Sequence, residues 1–320
     1  MRKKSLFSRK YTKSQRKNFL FVYLLIALPV VQFLIFWLYV HIDSIALAFM
    51  DDVTKAFTFD HFIEVWNGVV GTDVYGFNLL EMLGRSLCLW AVANVIAFPL
   101  GLASTYVLYR KVLGHYAFRV IYTIPTLVGA VIWVYLIRSC TDANGIVVYI
   151  IQKLGFTLDD AALNQGLLNS EATAFPTLIV LTFVTGMVGG NVIATGAYAK
   201  VPPELVEAGK IDGLGFWGTF FHIALPCAWP TISTLLTVSL CTIFVADGNV
   251  FLFSNSTGQP GMATMGYYLY YLTYRISNTS AANAPYGYPA ALGICISVIS
   301  VPVVLLGRKL LNKIVSAVQV

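Results

Sequence analysis

The stretch Glu207-Ala208-Gly209-Lys210-Ile211-Asp212-Gly213, followed after nine residues by Ile223-Ala224-Leu225-Pro226, decides how the chain is read. It lies between two long apolar segments, near 174–197 and 231–246. A short polar helix held between two membrane crossings stands on one face of a bilayer. Pro202 and Pro203 stop the preceding helix and can begin a new one. Glu204 and Glu207 fall in its first turns, where a helix N-terminus favours negative charge. Leu205, Ala208 and Ile211 share a side at helical spacing, and Gly213 suits a left-handed C-terminal cap. Phe216, Trp217, Phe220 and Phe221 then read as a helix lying along the membrane surface. Leu225-Pro226 reads as the turn into the next crossing.

Composition supports a membrane setting. Of 320 residues, 58% are hydrophobic and 11% charged, with mean hydropathy +0.73. A soluble domain would carry about twice that charged fraction. The expected fold class is all-α, a polytopic membrane protein with six transmembrane helices. Segments able to cross about 30 Å of hydrocarbon lie near 19–40, 86–108, 120–137, 174–197, 231–246 and 287–307. A secreted β-barrel is disfavoured because these runs exceed its roughly 10-residue alternating strands. The domain reading is a basic tail over 1–18 and one transmembrane domain over 19–320, with its core at 83–307 and a cytoplasmic loop at 198–230.

Basic residues orient the spans. With the N-terminus inside, Lys and Arg number eight in the tail, three in 109–119, two in 198–230 and three at the C-terminus. Only Lys55, Arg85, Arg138, Lys153 and Arg275 fall outside. Both termini are therefore expected in the cytoplasm. The net charge of +6 reads as orientation and headgroup attraction, and no nucleic-acid partner is expected. Cys88, Cys140, Cys227, Cys241 and Cys295 are scattered and read as small apolar packers. His41, His61, His115 and His222 are too dispersed for a metal site. No phosphate-binding G-x-x-x-x-G-K-[ST] loop and no Ser/His/Asp arrangement occurs, so the chain is not expected to be an enzyme.

The loop resembles the signature of permease subunits of bacterial ABC importers: Glu-Ala-Ala, three residues, Gly, nine residues, Ile-x-Leu-Pro. Glu207, Ala208, Gly213, Ile223, Leu225 and Pro226 match at that spacing. Gly209 stands where the pattern has a second alanine, a change of up to about 1 kcal/mol in helix propensity. The resemblance narrows to the carbohydrate branch (the maltose and multiple-sugar type) through Phe57 to Phe62, Pro99 to Ala103, Tyr122 to Thr126 and Thr257 to Pro260.

The resemblance implies an ABC importer type I permease fold in the bacterial cytoplasmic membrane. It implies a pathway shared with a second permease, a cytoplasmic ABC ATPase dimer that binds ATP and Mg, and an extracellular solute-binding protein. No cofactor is expected on this chain. ATPase coupling falls to Glu204, Glu207, Ala208, Gly209, Gly213, Ile223, Leu225 and Pro226. Solute contacts fall to Tyr122, Thr126, Thr182 and Gly186, with Asn249 a weaker candidate. The expected cargo is a sugar, in particular an oligosaccharide. The competing readings are the same architecture carrying another polar solute such as a polyamine, and an ion-driven secondary transporter. The second is disfavoured because the spans hold few ionisable groups.

Overall fold

Two prolines explain how two of the long helices are built. A proline has no N–H and collides with the carbonyl four residues back. At Pro99 and Pro226 the chain stays helical because a wider-wound stretch precedes each one, Val92–Ala97 and Phe220–Ala224. These π-type turns absorb the missing bond. The structure, a computed structural model, describes residues 13–73, 76–110, 112, 114–188, 191–245, 250–253, 260–277 and 285–318. Among them the only extended pairing is an isolated bridge between Met50 and Phe57. The rest is helix and turn.

Among the described residues six segments are long and apolar enough to cross a membrane: Phe21–Ala48, Leu79–Tyr109, Val131–Lys153, Glu171–Tyr198, Phe216–Cys241 and Gly287–Lys313; the third consists of two helices, Ala130–Thr141 and Ile146–Lys153, parted at extended Asp142. The number and order agree with the sequence reading, but two boundaries do not. The fifth helix begins at Phe216, not near 231, and Leu225-Pro226 is not a turn. Ala224 and Leu225 are both right-handed helical, so the aromatic segment is the first part of the crossing. Phe220 accordingly faces the core, 3% exposed, while Trp217 and Phe221 face outward. The third segment, expected at 120–137, is broken. His115–Leu127 ends at extended Val128, and Ala130–Thr141 starts after extended Gly129. Pro125 weakens the last turn before that break.

The bundle has two buried centres. At the end near Pro203–Ile211, Leu102, Tyr106, Ala194, Tyr198, Phe220 and Ile232 pack together. Tyr106 lies 5.6 Å from Tyr198 and 5.0 Å from Phe220, centroid to centroid. The Tyr198 hydroxyl donates to the Leu102 carbonyl at 3.2 Å. At the opposite end a larger centre gathers Met82, Leu89, Leu178, Tyr268 and Leu292 with residues of 250–265. There the Met265 amide donates to Ser86 Oγ at 2.9 Å, and both groups are buried. Ser86→Ala leaves that N–H without its acceptor, which costs about 1–3 kcal/mol. The apparent melting midpoint in detergent is expected to fall; an unchanged midpoint contradicts the role given to Ser86.

The segment between the first two crossings contains the amphipathic helix Asp60–Val70. Asp51 closes the turn before it. The Thr54 amide, the Thr54 hydroxyl and the Val53 amide all donate to its carboxylate and hold it below the usual carboxylate range. Asp52 accepts from the Gly287 amide at 3.1 Å and ties this segment to the start of the last crossing. Beyond Thr141 the chain forms a short helix, Ile146–Lys153. Its packed residue is Val148, against Ala162 and Leu167, while Ile146 and Ile150 remain exposed.

Candidate functional site

Pro203 opens the helix Pro203–Ile211, and Glu204 sits in its first turn as the helix dipole favours. Its inward side is small: Gly209 is buried and Val206 half-buried. Glu204, Leu205, Glu207, Ala208 and Ile211 are exposed, Ile211 at 87%. An apolar stripe flanked by two carboxylates therefore points away from the bundle. In a nine-residue helix next to a membrane, such a stripe is what a cleft on another protein could cover.

The helix ends as the sequence predicts. Gly213 has φ +82°, in the left-handed region. The Leu214 amide donates to the Gly209 carbonyl at 2.8 Å and the Gly213 amide to the Lys210 carbonyl at 3.1 Å. These two bonds are the Schellman closure. It folds Leu214 back over Gly209, where a Cβ would meet Leu214 Cδ1 at 3.2 Å and Ile223 Cδ1 at 2.5 Å. Gly209 thus does more than weaken the helix. It lets the helix backbone seat on Ile223, and that contact joins the two halves of the signature. Leu225 and Pro226 lie half-buried inside the fifth crossing, continuous with Ile223 and the buried Ala224. They belong to the shaft beneath the exposed helix and not to its outer surface.

The proposed solute contacts are placed unevenly. Tyr122 lines a cleft of about 250 Å³ with Ser104, Leu108, His115 and Phe118. Thr126 continues the same helix, and its side chain lies outside the described residues, as does all of Asn249. Thr182 is half-buried, and its carbonyl accepts from the Thr185 hydroxyl at 3.2 Å. Gly186 is taken up by packing, since a Cβ there would come within 2.9 Å of Ala97 Cβ and 3.3 Å of the Ala93 Cα. The helix bearing Tyr122 does touch the helix bearing Thr182 and Gly186. Most of Thr257 to Pro260 also falls outside the described residues.

One polar node was not singled out from the sequence. Trp90 Nε1 donates to the Ser239 carbonyl at 2.9 Å and lies 3.0 Å from its hydroxyl. The Ser239 hydroxyl donates to Asn94 Oδ1 at 2.6 Å, and Asn94 Nδ2 donates to the Trp90 carbonyl at 3.0 Å. This ties the second crossing, at its widened turn, to the fifth. The available signal was a lone amide in Val92-Ala-Asn-Val-Ile-Ala97, since an amide in hydrocarbon must find partners.

Comparison with known proteins follows the same lines. Residues 97–316 match the model of a family described as binding-protein-dependent transport system inner membrane component. The chain is 27% identical to the arabinooligosaccharides transport system permease protein AraP of Bacillus subtilis, over 90% of this chain and 87% of that one. It is 26% identical to the diacetylchitobiose uptake system permease protein NgcF of Streptomyces coelicolor, over 60% of this chain and 52% of that one. Its fold matches a chain of a solved bacterial ABC transporter involved in the import of the acidic polysaccharide alginate. That match has a TM-score of 0.71 at 20% identity and covers 93% of this chain and 96% of the other.

Proposed function

The chain belongs to the family of binding-protein-dependent transport system inner membrane components, and from that premise we propose that it forms half of an ATP-driven importer for an oligosaccharide. It is a multi-pass membrane transport subunit and not an enzyme. In this reading a second permease completes the pathway, an ABC ATPase dimer holding ATP and Mg seats the helix Pro203–Ile211, and an external solute-binding protein delivers the cargo. The N-terminus, the C-terminus and that helix lie in the cytoplasm of a bacterium, as the basic residues direct. The sugar class follows the relatives, which include permeases for arabinooligosaccharides, starch degradation products, diacetylchitobiose and lactose. The polyamine and ion-driven alternatives find no comparable support.

The observation carrying this reading is the exposed stripe on a helix whose cap, buried glycine and neighbouring shaft are bonded into one piece. ATP-driven closure of the ATPase would displace that piece, and the rigid helix Phe216–Cys241 would carry the displacement into the bundle. Work then comes from the different affinities of the two conformations for nucleotide and solute, with no covalent step on this chain. The test is uptake into proteoliposomes containing the whole complex and the receptor, with internal ATP or with an ion gradient alone. Uptake should require ATP and the ATPase. Uptake driven by the gradient without the ATPase overturns the reading.

Tyr122 supplies an aromatic face and a hydroxyl to the cleft, the pairing that suits a sugar ring. Tyr122→Ala is expected to raise the apparent KM for uptake about tenfold, the loss of about 1.4 kcal/mol of binding, with assembly intact. An unchanged concentration dependence removes Tyr122 from the solute path.

A further inference from the structure

The end of the bundle opposite Pro203–Ile211 holds an open notch of about 560 Å³ between the second and fourth crossings. One face of the second helix is committed to the core, with Met82, Ser86 and Leu89 buried. The adjacent face turns Glu81, Gly84, Arg85 and Cys88 to the notch, and the fourth helix answers with Glu171, Ala172, Phe175 and Pro176. Its volume is that of a small-molecule site.

The floor is charged and fixed. Arg85 Nη2 pairs with Glu81 Oε1 at 2.5 Å, and the guanidinium lies 5.9 Å from the Phe175 ring centroid. Arg85 is 17% exposed while Glu81 is 60% exposed. An i, i+4 pair on a helix surface is commonplace and weak. This one differs in depth. Arg85 lies six residues beyond Leu79, where the crossing begins, roughly 9 Å along a helix rising 1.5 Å per residue. A charged face reaching that depth is stable when it borders water or a polar ligand, not lipid.

The chemistry is rich in acceptors. Glu81 and Glu171 present carboxylates, and Pro176, having no N–H, cannot give the Ala172 carbonyl its intrahelical hydrogen bond. Two carboxylates against one guanidinium leave the notch net negative. Hydroxyl donors suit such a site, and a carboxylate-bearing ligand does not.

We propose that this notch is an outer-face subsite for an uncharged saccharide, which donates hydroxyls to Glu81, Glu171 and the Ala172 carbonyl before it enters the pathway. The proposal rests on the importer reading above and narrows its cargo to neutral sugars rather than uronates.

Cys88 tests it. In the assembled complex, with Cys140, Cys227, Cys241 and Cys295 replaced by serine, membrane-impermeant thiosulfonates are applied from the outer face. The cationic reagent should modify Cys88 faster than the anionic one, and Glu171→Gln should narrow that difference. A mixture of malto-, arabino- and chito-trisaccharides should slow modification about threefold when the binding member is at twice its dissociation constant. Trigalacturonate should not, and Glu171→Gln should abolish the protection. Failure of all three neutral sugars to protect, equal protection by trigalacturonate, or an unreactive Cys88 overturns the proposal. ATP-driven uptake in the same vesicles separates the two ideas. Uptake without protection ends the subsite alone; protection without any ATP-driven uptake ends the importer reading alone.

Discussion

Gly213→Val is expected to cut ATP-driven uptake at least about thirtyfold while the chain still inserts and assembles. The residue sits at φ +82° with no neighbouring atom within 4 Å of where its Cβ would be. Space is therefore no obstacle and the constraint is the backbone itself. A β-branched residue in the left-handed region costs about 1–2 kcal/mol. It also endangers two closing bonds, to the Gly209 and Lys210 carbonyls, worth about 0.5–1.5 kcal/mol each. A loss of 2 kcal/mol is already a factor of about thirty in a two-state population. Without the closure, Leu214 no longer lies over Gly209, and the exposed helix loses its seat on Ile223. Gly213→Asn is the control, because asparagine tolerates the left-handed conformation; it should retain most of the uptake. Near-normal uptake by the valine variant, with its helix still crosslinking to the ATPase, would remove the cap from the coupling mechanism.

The cap was legible in the sequence because its cause is local. Pro203 at the start, glutamates in the first turn and a glycine after the last turn each act within a few residues. The spans were legible for the same reason, since hydrocarbon selects long apolar runs wherever they occur. Phe216 to Phe221 was misjudged as a surface helix because aromatics suit both a membrane interface and a packed core. What separates the two is the contact of Phe220 with Tyr106, residues far apart in the chain. Leu225-Pro226 was misjudged as a turn because a proline normally interrupts a helix. The widened turn at Phe220–Ala224 that accommodates it has no sequence signature of its own. Gly209 looked like a weak point, and its contact with Ile223 becomes visible only once the Schellman closure brings the two halves of the signature together. The solute candidates were inferred from likeness alone. Of these, Tyr122 lies in a cleft and Gly186 in a helix contact, and spacing cannot distinguish those environments.

The second large effect belongs to the contact between the second and fourth crossings. A Cβ on Gly101 would lie 2.5 Å from the Met187 carbonyl oxygen and within 3.3 Å of its carbonyl carbon and Cα. These are backbone atoms, so no rotamer change can relieve the clash. Gly186 makes the reciprocal approach to Ala93 and Ala97, so the two helices are in close contact from both sides. Membrane helices associate through such small residues because lipid tails provide no hydrophobic drive between them. Gly101→Leu must therefore separate the helices. Overpacking alone costs about 1–3 kcal/mol and often more. Separation also threatens the Tyr198 hydroxyl bond to the Leu102 carbonyl, one residue along. That bond belongs to the centre beneath Pro203–Ile211, so the damage reaches the coupling end. Gly101→Leu is expected to lower the yield of monodisperse, protease-resistant protein at least about tenfold. Gly293→Leu, on a crossing where nothing lies within 4 Å of the added Cβ, should stay near the parent level. Equal yields from the two variants would mean that the second and fourth helices are not in close contact at Met187.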